Sequence, residues 1–150
     1  MRVIAIAAFW TLSLLAARSA MADQDLDHAI ATWAASGPDS YVYSYQKYCE
    51  CHRDRPPETF VAVGDNVVRD VYHVHPDSDR HVPARDGSLP LYWTVPDLFS
   101  LIRAAETSGV SYEAEYDATL GYPVRVYIDY DADAVGEEID IRLTSFEPRG

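Results

Sequence analysis

Apolar residues recur from Leu26 through Ala29 and Ile30 to Trp33 at the spacing that places them on one face of an α-helix. Asp25 stands where a helix cap belongs and Gly37-Pro38 halts the run, so the pattern predicts a short amphipathic helix over residues 25–36. Around Tyr41, Tyr43 and Tyr45 the period falls to two, and this aromatic alternation predicts a strand over residues 40–51. Phe60 to Val63 and Val67 to Val74 are β-branched runs separated by Gly64-Asp65-Asn66, residues that tolerate positive φ, which predicts a hairpin. Residues 76–93 carry Pro76, Pro83 and Pro90 among Asp, Ser, Arg and Gly, and read as a long loop with no element of its own.

Thr94-Val95-Pro96-Asp97 then combines a hydroxyl cap, an early proline and an acid three residues on. Leu98, Leu101, Ile102 and Ala105 form the buried stripe of the helix that follows, and Gly109 ends it. Beyond it Tyr112, Ala114 and Tyr116 alternate with acids; Val124, Val126 and Ile128 alternate with Arg125, Tyr127 and Asp129; Ile139, Ile141 and Leu143 alternate with Asp140 and Arg142. Each of these three strands has one wet face. The expected fold is α+β, a single antiparallel β-sheet with two α-helices packed on one face. The order of helix then strands occurs twice, which raises a distant structural repeat, although no residue-level period accompanies it.

The first residues stand apart from this pattern. Arg2 precedes about fifteen mostly apolar residues, and Ala20-Met21-Ala22 supplies a small-residue cleavage site before the polar Asp23-Gln24-Asp25. Residues 1–22 are therefore expected to be a signal peptide, and residues 23–150 one globular α+β domain, exported to the periplasm or secreted. The apolar run is shorter than the roughly 18–20 residues that span hydrocarbon, and Arg18 interrupts its end. The first cysteine is Cys49, far from the cleavage site, so no lipid-anchoring cysteine follows the signal and no membrane anchor is expected after cleavage.

Charge narrows the partners. The formal net charge is −12, and loss of residues 1–22 removes two arginines, Arg2 and Arg18, and no acid. The mature chain has a single lysine, Lys47, and scattered arginines, which excludes the clustered cations that grip a phosphate backbone. Nucleic acid and anionic membrane surfaces are thus disfavoured, while cations and basic partners are attracted over distance.

Several stretches resemble the DUF6174 family, a bacterial family of exported proteins and lipoproteins with no assigned activity. They are Tyr41-Val42-Tyr43-Ser44-Tyr45 followed by Cys49-Glu50-Cys51, the helix opening Pro96-Asp97-Leu98-Phe99, and Tyr116-Asp117-Ala118-Thr119-Leu120-Gly121-Tyr122-Pro123 with Ile128-Asp129 after it. The resemblance covers about residues 40–143 and rests most on the Y-D-x-x-x-G-Y-P stretch. It implies export and a common fold, and no mechanism.

Candidate chemistry centres on Cys49-Glu50-Cys51-His52, two thiols that would meet an oxidising compartment. Residues at i and i+2 of a regular strand stand too far apart for a disulfide, so a bridge needs a bend, which Arg53-Asp54-Arg55-Pro56-Pro57 is placed to supply. A copper or zinc site formed by Cys49, Cys51, His73 and His75 is the rival reading, since the two histidines alternate on a neighbouring strand. A thiol-redox pair is a third, although Glu50 disfavours a thiolate. Asp129, Asp131 and Asp133 with Asp140 follow the spacing of a calcium loop, but Ala134 replaces the turn glycine, Asp140 replaces glutamate and the flanks read as strands, so a polar hairpin connection fits better. Residues Asp117 to Pro123 read as a rigid hairpin, or as a recognition tip in which Asp117, Gly121, Tyr122 and Pro123, with Tyr127, meet a partner; the chain holds 11 tyrosines.

No nucleophile elbow, zinc helix, Walker loop or dinucleotide glycine pattern occurs, and no motif calls for a cofactor. The expected function is a non-catalytic, uncharacterised binding module of the cell envelope that takes a protein or peptide through the Tyr-bearing hairpin and the 76–93 loop. A metal or thiol-redox role at the Cys-x-Cys pair is the alternative.

Overall fold

A computed structural model describes residues 25–48, 58–74, 81–83, 92–134 and 137–150. The elements are α1 (residues 25–36), β1 (Tyr41–Tyr48), β2 (Thr59–Gly64), β3 (Val67–Val74), β4 (His81–Pro83), α2 (Val95–Ser108), β5 (Ser111–Tyr116), β6 (Pro123–Asp129) and β7 (Ile139–Pro148). All seven strands join one antiparallel sheet in the order β4-β3-β2-β1-β7-β6-β5. The α+β expectation therefore holds, and both predicted helices form.

Register explains which side chains are buried. Tyr41, Tyr43 and Tyr45 on β1 stand opposite Val63, Val61 and Thr59 on β2, and Val61 stands opposite Val71 on β3. Across β7 the same face continues through Phe146, Leu143 and Ile141, and then Val126 and Ile128 on β6. All of these are buried except Phe146, which packs partly covered against the rest. Thr144 is the extra residue of a bulge opposite Ser44 and Tyr45, and this bulge keeps the apolar residues of β7 in phase with the β1 tyrosines.

Both helices lie on this face. Trp33 of α1 meets Tyr41 edge-on at 5.5 Å, and the Tyr41 hydroxyl accepts the Val95 N–H of α2 at 2.8 Å. One strand residue thus touches both helices. The Tyr41 bond also completes the first turn of α2. The Thr94 hydroxyl accepts from the Asp97 amide at 3.2 Å, the Asp97 carboxylate accepts from the Thr94 amide at 2.9 Å, and Pro96 has no N–H to satisfy. At the other end Gly109 takes φ 73°, and the Gly109 and Val110 amides close onto the last carbonyls. The buried stripe of α2 is Val95, Leu98, Phe99, Ile102 and Ala105, with Leu101 only half-buried.

Two expectations need correction. Residues 76–93 are not without an element, since β4 pairs with β3 through Tyr72↔Pro83, His73↔Val82 and Val74↔His81. Its period is invisible in three residues. The repeat reading also fails, because β1 to β3 and β5 to β7 run in the same left-to-right order across the sheet but in opposite strand directions. No rotation superposes two such halves while leaving both helices on one face.

The turn at Asp65 (φ 52°) and Asn66 (φ 57°) joins β2 to β3 with both central residues left-handed, as the hairpin reading requires. Gly121 is more demanding. It takes φ 80°, and a Cβ there would stand 2.5 Å from the Ala29 carbonyl oxygen and 3.0 Å from the Thr32 Cβ, so the β5–β6 loop lies directly on α1. Gly121→Ala is expected to destabilise the protein by about 2–3 kcal/mol, read as a lower denaturant midpoint with an unchanged slope. A loss under about 0.5 kcal/mol would show that the loop can lift off α1 without penalty.

Candidate functional site

Cys49, Cys51 and His75 lie outside the described residues, as do residues 1–24. His73 is described. It is half-buried on the helix-bearing face, with its Nδ1 3.0 Å from the Thr59 hydroxyl. Among the described residues no three His, Cys, Asp or Glu side chains converge on a metal-sized site. The strand ends that lead to Cys49 and His75 are close in topology: β1 ends at Tyr48 and β3 ends at Val74, at the same end of the sheet with β2 between them.

The five binding-surface candidates do not form one surface. Asp117 folds its own loop, its carboxylate accepting from the Thr119 and Leu120 amides at 2.9 and 2.7 Å. Gly121 and Pro123 are buried, and Tyr122 is half-buried, stacked on Phe146 at 4.3 Å. Tyr127 is on the opposite face of the sheet, beneath the Arg125 guanidinium, 5.9 Å from its ring centre. This arrangement favours the rigid-hairpin reading of residues 117–123: the loop is a clamp between α1 and β7.

The calcium-like segment is a hairpin connection from β6 to β7, with Ile128 paired to Ile139. Asp131 caps its own turn, accepting from the Asp133 amide at 3.0 Å. Asp140 faces the other way, into two arginines. It lies 3.3 Å from Arg125 and 2.6 Å from Arg142, and Arg125 also stands 3.6 Å from Glu113 and 3.7 Å from Glu115. Burial alone would raise the Asp140 pKa, but hydrogen bonds and charge from Arg142 and Arg125 outweigh it and hold the carboxyl below the ordinary aspartate value. A carboxylate so engaged is not an open cation ligand.

Other polar groups on this open face are likewise engaged with one another. Ser44 is fully buried under the bulge, 2.5 Å from the Thr144 hydroxyl and 2.9 Å from that of Ser145, and Thr144 donates to Glu58 at 2.9 Å. On the helix face burial pushes the Tyr41 hydroxyl up to about 12, and raises Tyr43, Tyr45 and Tyr116 as well. Those hydroxyls stay protonated near neutral pH; that of Tyr41 accepts from the Val95 amide and that of Tyr43 donates to the Trp93 carbonyl.

Among the described residues, a groove of about 830 Å³ between the helices has room for a ligand. From α1 it takes Ile30, Trp33 and Ala34, and from α2 Phe99, Ser100 and Ala104. Trp33 and Phe99 are almost wholly buried and make an apolar floor, while Ala34, Ser100 and Ala104 are exposed and too small to fill the space above it. Arg103 crosses from α2 to Asp27 of α1 and also meets Glu106 at 2.6 Å. The volume falls within the roughly 300–1,000 Å³ common among ligand sites. Reading each helix for its core stripe misses this groove, because its floor belongs to the two stripes while its walls are the small residues that flank them, and only the packing of one helix beside the other leaves space between.

The model of a family of unknown function, DUF6174, matches residues 25–148. The chain belongs to the DUF6174 family. The match begins in α1 and ends with β7, so both helices and the whole sheet lie within the DUF6174 unit, wider than the stretch about residues 40–143 on which the resemblance rested. No curated protein and no solved structure matches the chain.

Asp140 gives a sign to the pH dependence. A folded value below the ordinary 3.8 means that the ionised carboxylate stabilises the fold above that value, and that this contribution fades as pH falls through the lower folded value. Asp140→Asn is expected to be less stable than the native protein at about pH 7, with the difference closing as pH falls below the ordinary aspartate value. Urea denaturation across this range tests it, and a difference that stays constant with pH would contradict the linkage.

Proposed function

We propose that this DUF6174 protein is an exported, non-catalytic binding module of the cell envelope, and that the groove between α1 and α2 receives an apolar segment of a protein or peptide partner. The observation that carries the reading is the groove itself: a Trp33–Phe99 floor under the small side chains of Ala34, Ser100 and Ala104. Large rigid aromatics at the base of a depression are the common anchors of protein recognition. Export is supported by the charge, apolar run and small-residue cleavage site of residues 1–22. No described helix is long and apolar enough to cross a membrane.

Ala104 is exposed on α2, so Ala104→Glu fills and charges the groove while keeping a helix-forming residue. The variant is expected to keep its stability within about 0.5 kcal/mol and to recover at least about tenfold less of its partner from envelope extracts. Undiminished recovery by a folded variant would remove the groove from the proposal.

The second reading, a copper, zinc or thiol-redox site at Cys49 and Cys51, draws on the topology that brings the ends of β1 and β3 to one end of the sheet, with His73 near the end of β3. Mass spectrometry of exported protein never exposed to reductant or chelator separates the two. Under the binding reading the chain starts at Asp23 and is lighter by the two hydrogens of a disulfide. Retained metal that disappears when both cysteines become serine would establish the second reading.

A further inference from the structure

The two edges of the sheet are guarded differently. β4 has three residues and ends in Pro83, which offers no N–H, so that edge presents little to another strand. β5 has six residues, Ser111–Tyr116, with neither proline nor lysine among them. It pairs with β6, and no described strand lies on its outer side. Its register runs without interruption from Ser111↔Asp129 to Glu115↔Arg125 and shifts only at Tyr116. A continuous row of main-chain donors and acceptors therefore points away from the sheet.

The side chains of this edge carry a sign. Tyr112, Ala114 and Tyr116 turn to the helix layer and are half-buried. Glu113 and Glu115 turn to the open face with side chains 73% and 65% exposed. Their nearest cation, Arg125, stands 3.6 and 3.7 Å away and is itself held at 3.3 Å by Asp140. Two carboxylates on alternate residues thus sit on the strand whose outer edge has no described neighbour, in a chain of net charge −12.

We propose that the outer edge of β5 accepts an extended polypeptide segment with Lys or Arg at alternate positions, which adds to the sheet as a further strand. Main-chain pairing supplies the adhesion, and the alternate cations opposite Glu113 and Glu115 supply the selection. Charge argues against a second copy of this chain as the occupant. When an antiparallel strand pairs with its own copy so that like faces align, Glu113 is set opposite Glu113, Glu115 or Ser111, which stacks acid against acid or leaves it unmatched. A basic strand in the same place reverses the sign of every such pair. The proposal is independent of the groove, which lies between the helices.

The test uses the purified protein with three synthetic peptides: lysine alternating with valine, glutamate alternating with valine, and the lysine peptide N-methylated on alternate amides so that it keeps its charge and loses strand pairing. Fluorescence anisotropy reads binding, and amide hydrogen exchange reads its place. The lysine peptide is expected to bind and to slow exchange within β5, while the other two bind at least about tenfold more weakly. Glu113→Gln/Glu115→Gln is expected to weaken the lysine peptide by about tenfold with the fold intact, and Glu113→Lys/Glu115→Lys to transfer the preference to the glutamate peptide. Ala104→Glu should change none of this, so failure of the groove and failure of the edge are distinguishable. Equal binding of the N-methylated peptide, unaltered exchange in β5, or undiminished binding by the Gln variant would each overturn the proposal.

Discussion

Tyr41 stands where the two layers of the protein meet. Its ring is edge-on to Trp33 of α1 and stacked at 4.9 Å on Phe146 of β7, and its hydroxyl accepts the first N–H of α2. Phe146 in turn stacks on Tyr122, whose loop is pressed onto α1 through Gly121. Two helices, a central strand, its neighbour and a distant hairpin are therefore positioned by one group of rings. Tyr43 continues the ladder by donating to the Trp93 carbonyl at 2.5 Å, and Tyr45 meets Tyr92 edge-on at 5.4 Å. The segment that enters α2 is thus tied to β1 at successive rungs before the helix begins. Aromatic pairs and satisfied hydroxyls both depend on orientation, so this ladder orders the layers more narrowly than apolar burial alone would.

That arrangement divides the molecule into two chemically distinct surfaces. One face of the sheet is buried under the helices, and its tyrosines are held protonated. The other face bears the Arg125–Asp140–Arg142 cluster and the Ser44–Thr144–Ser145 hydroxyls. The polar groups of each cluster bind one another, which stabilises a wet sheet face and leaves little free reactivity. Space for a ligand occurs elsewhere, above Trp33 and Phe99, where two helices with small outer residues fail to close over their own core.

Local patterning made most of the architecture legible. The period of Leu26, Ala29 and Trp33, the Thr94–Asp97 capping pair, the Asp65-Asn66 turn and the alternation of the last three strands each act over a few residues, and each forms as read. β4 escaped because a three-residue strand has no period to detect, and because its pairing with β3 is decided by a neighbour. The apparent repeat misled for a related reason: element order is written in the chain, but strand direction and placement are set by pairing.

The candidate sites divide along the same line. The sequence by itself determined an acidic chain with two helices, an antiparallel sheet, a Y-D-x-x-x-G-Y-P hairpin and a Cys-x-Cys pair, because composition, periodicity and turn chemistry are local properties. Only the tertiary structure decided that Tyr122 is turned onto Phe146, that Asp140 is clamped by two arginines, and that Ile30 and Phe99 border one groove. It also placed β1 and β7 side by side at the centre and left β5 at the margin with its acids outward. Contacts between residues tens of positions apart are chosen by the packing of whole faces against one another, and no short window of sequence contains both partners.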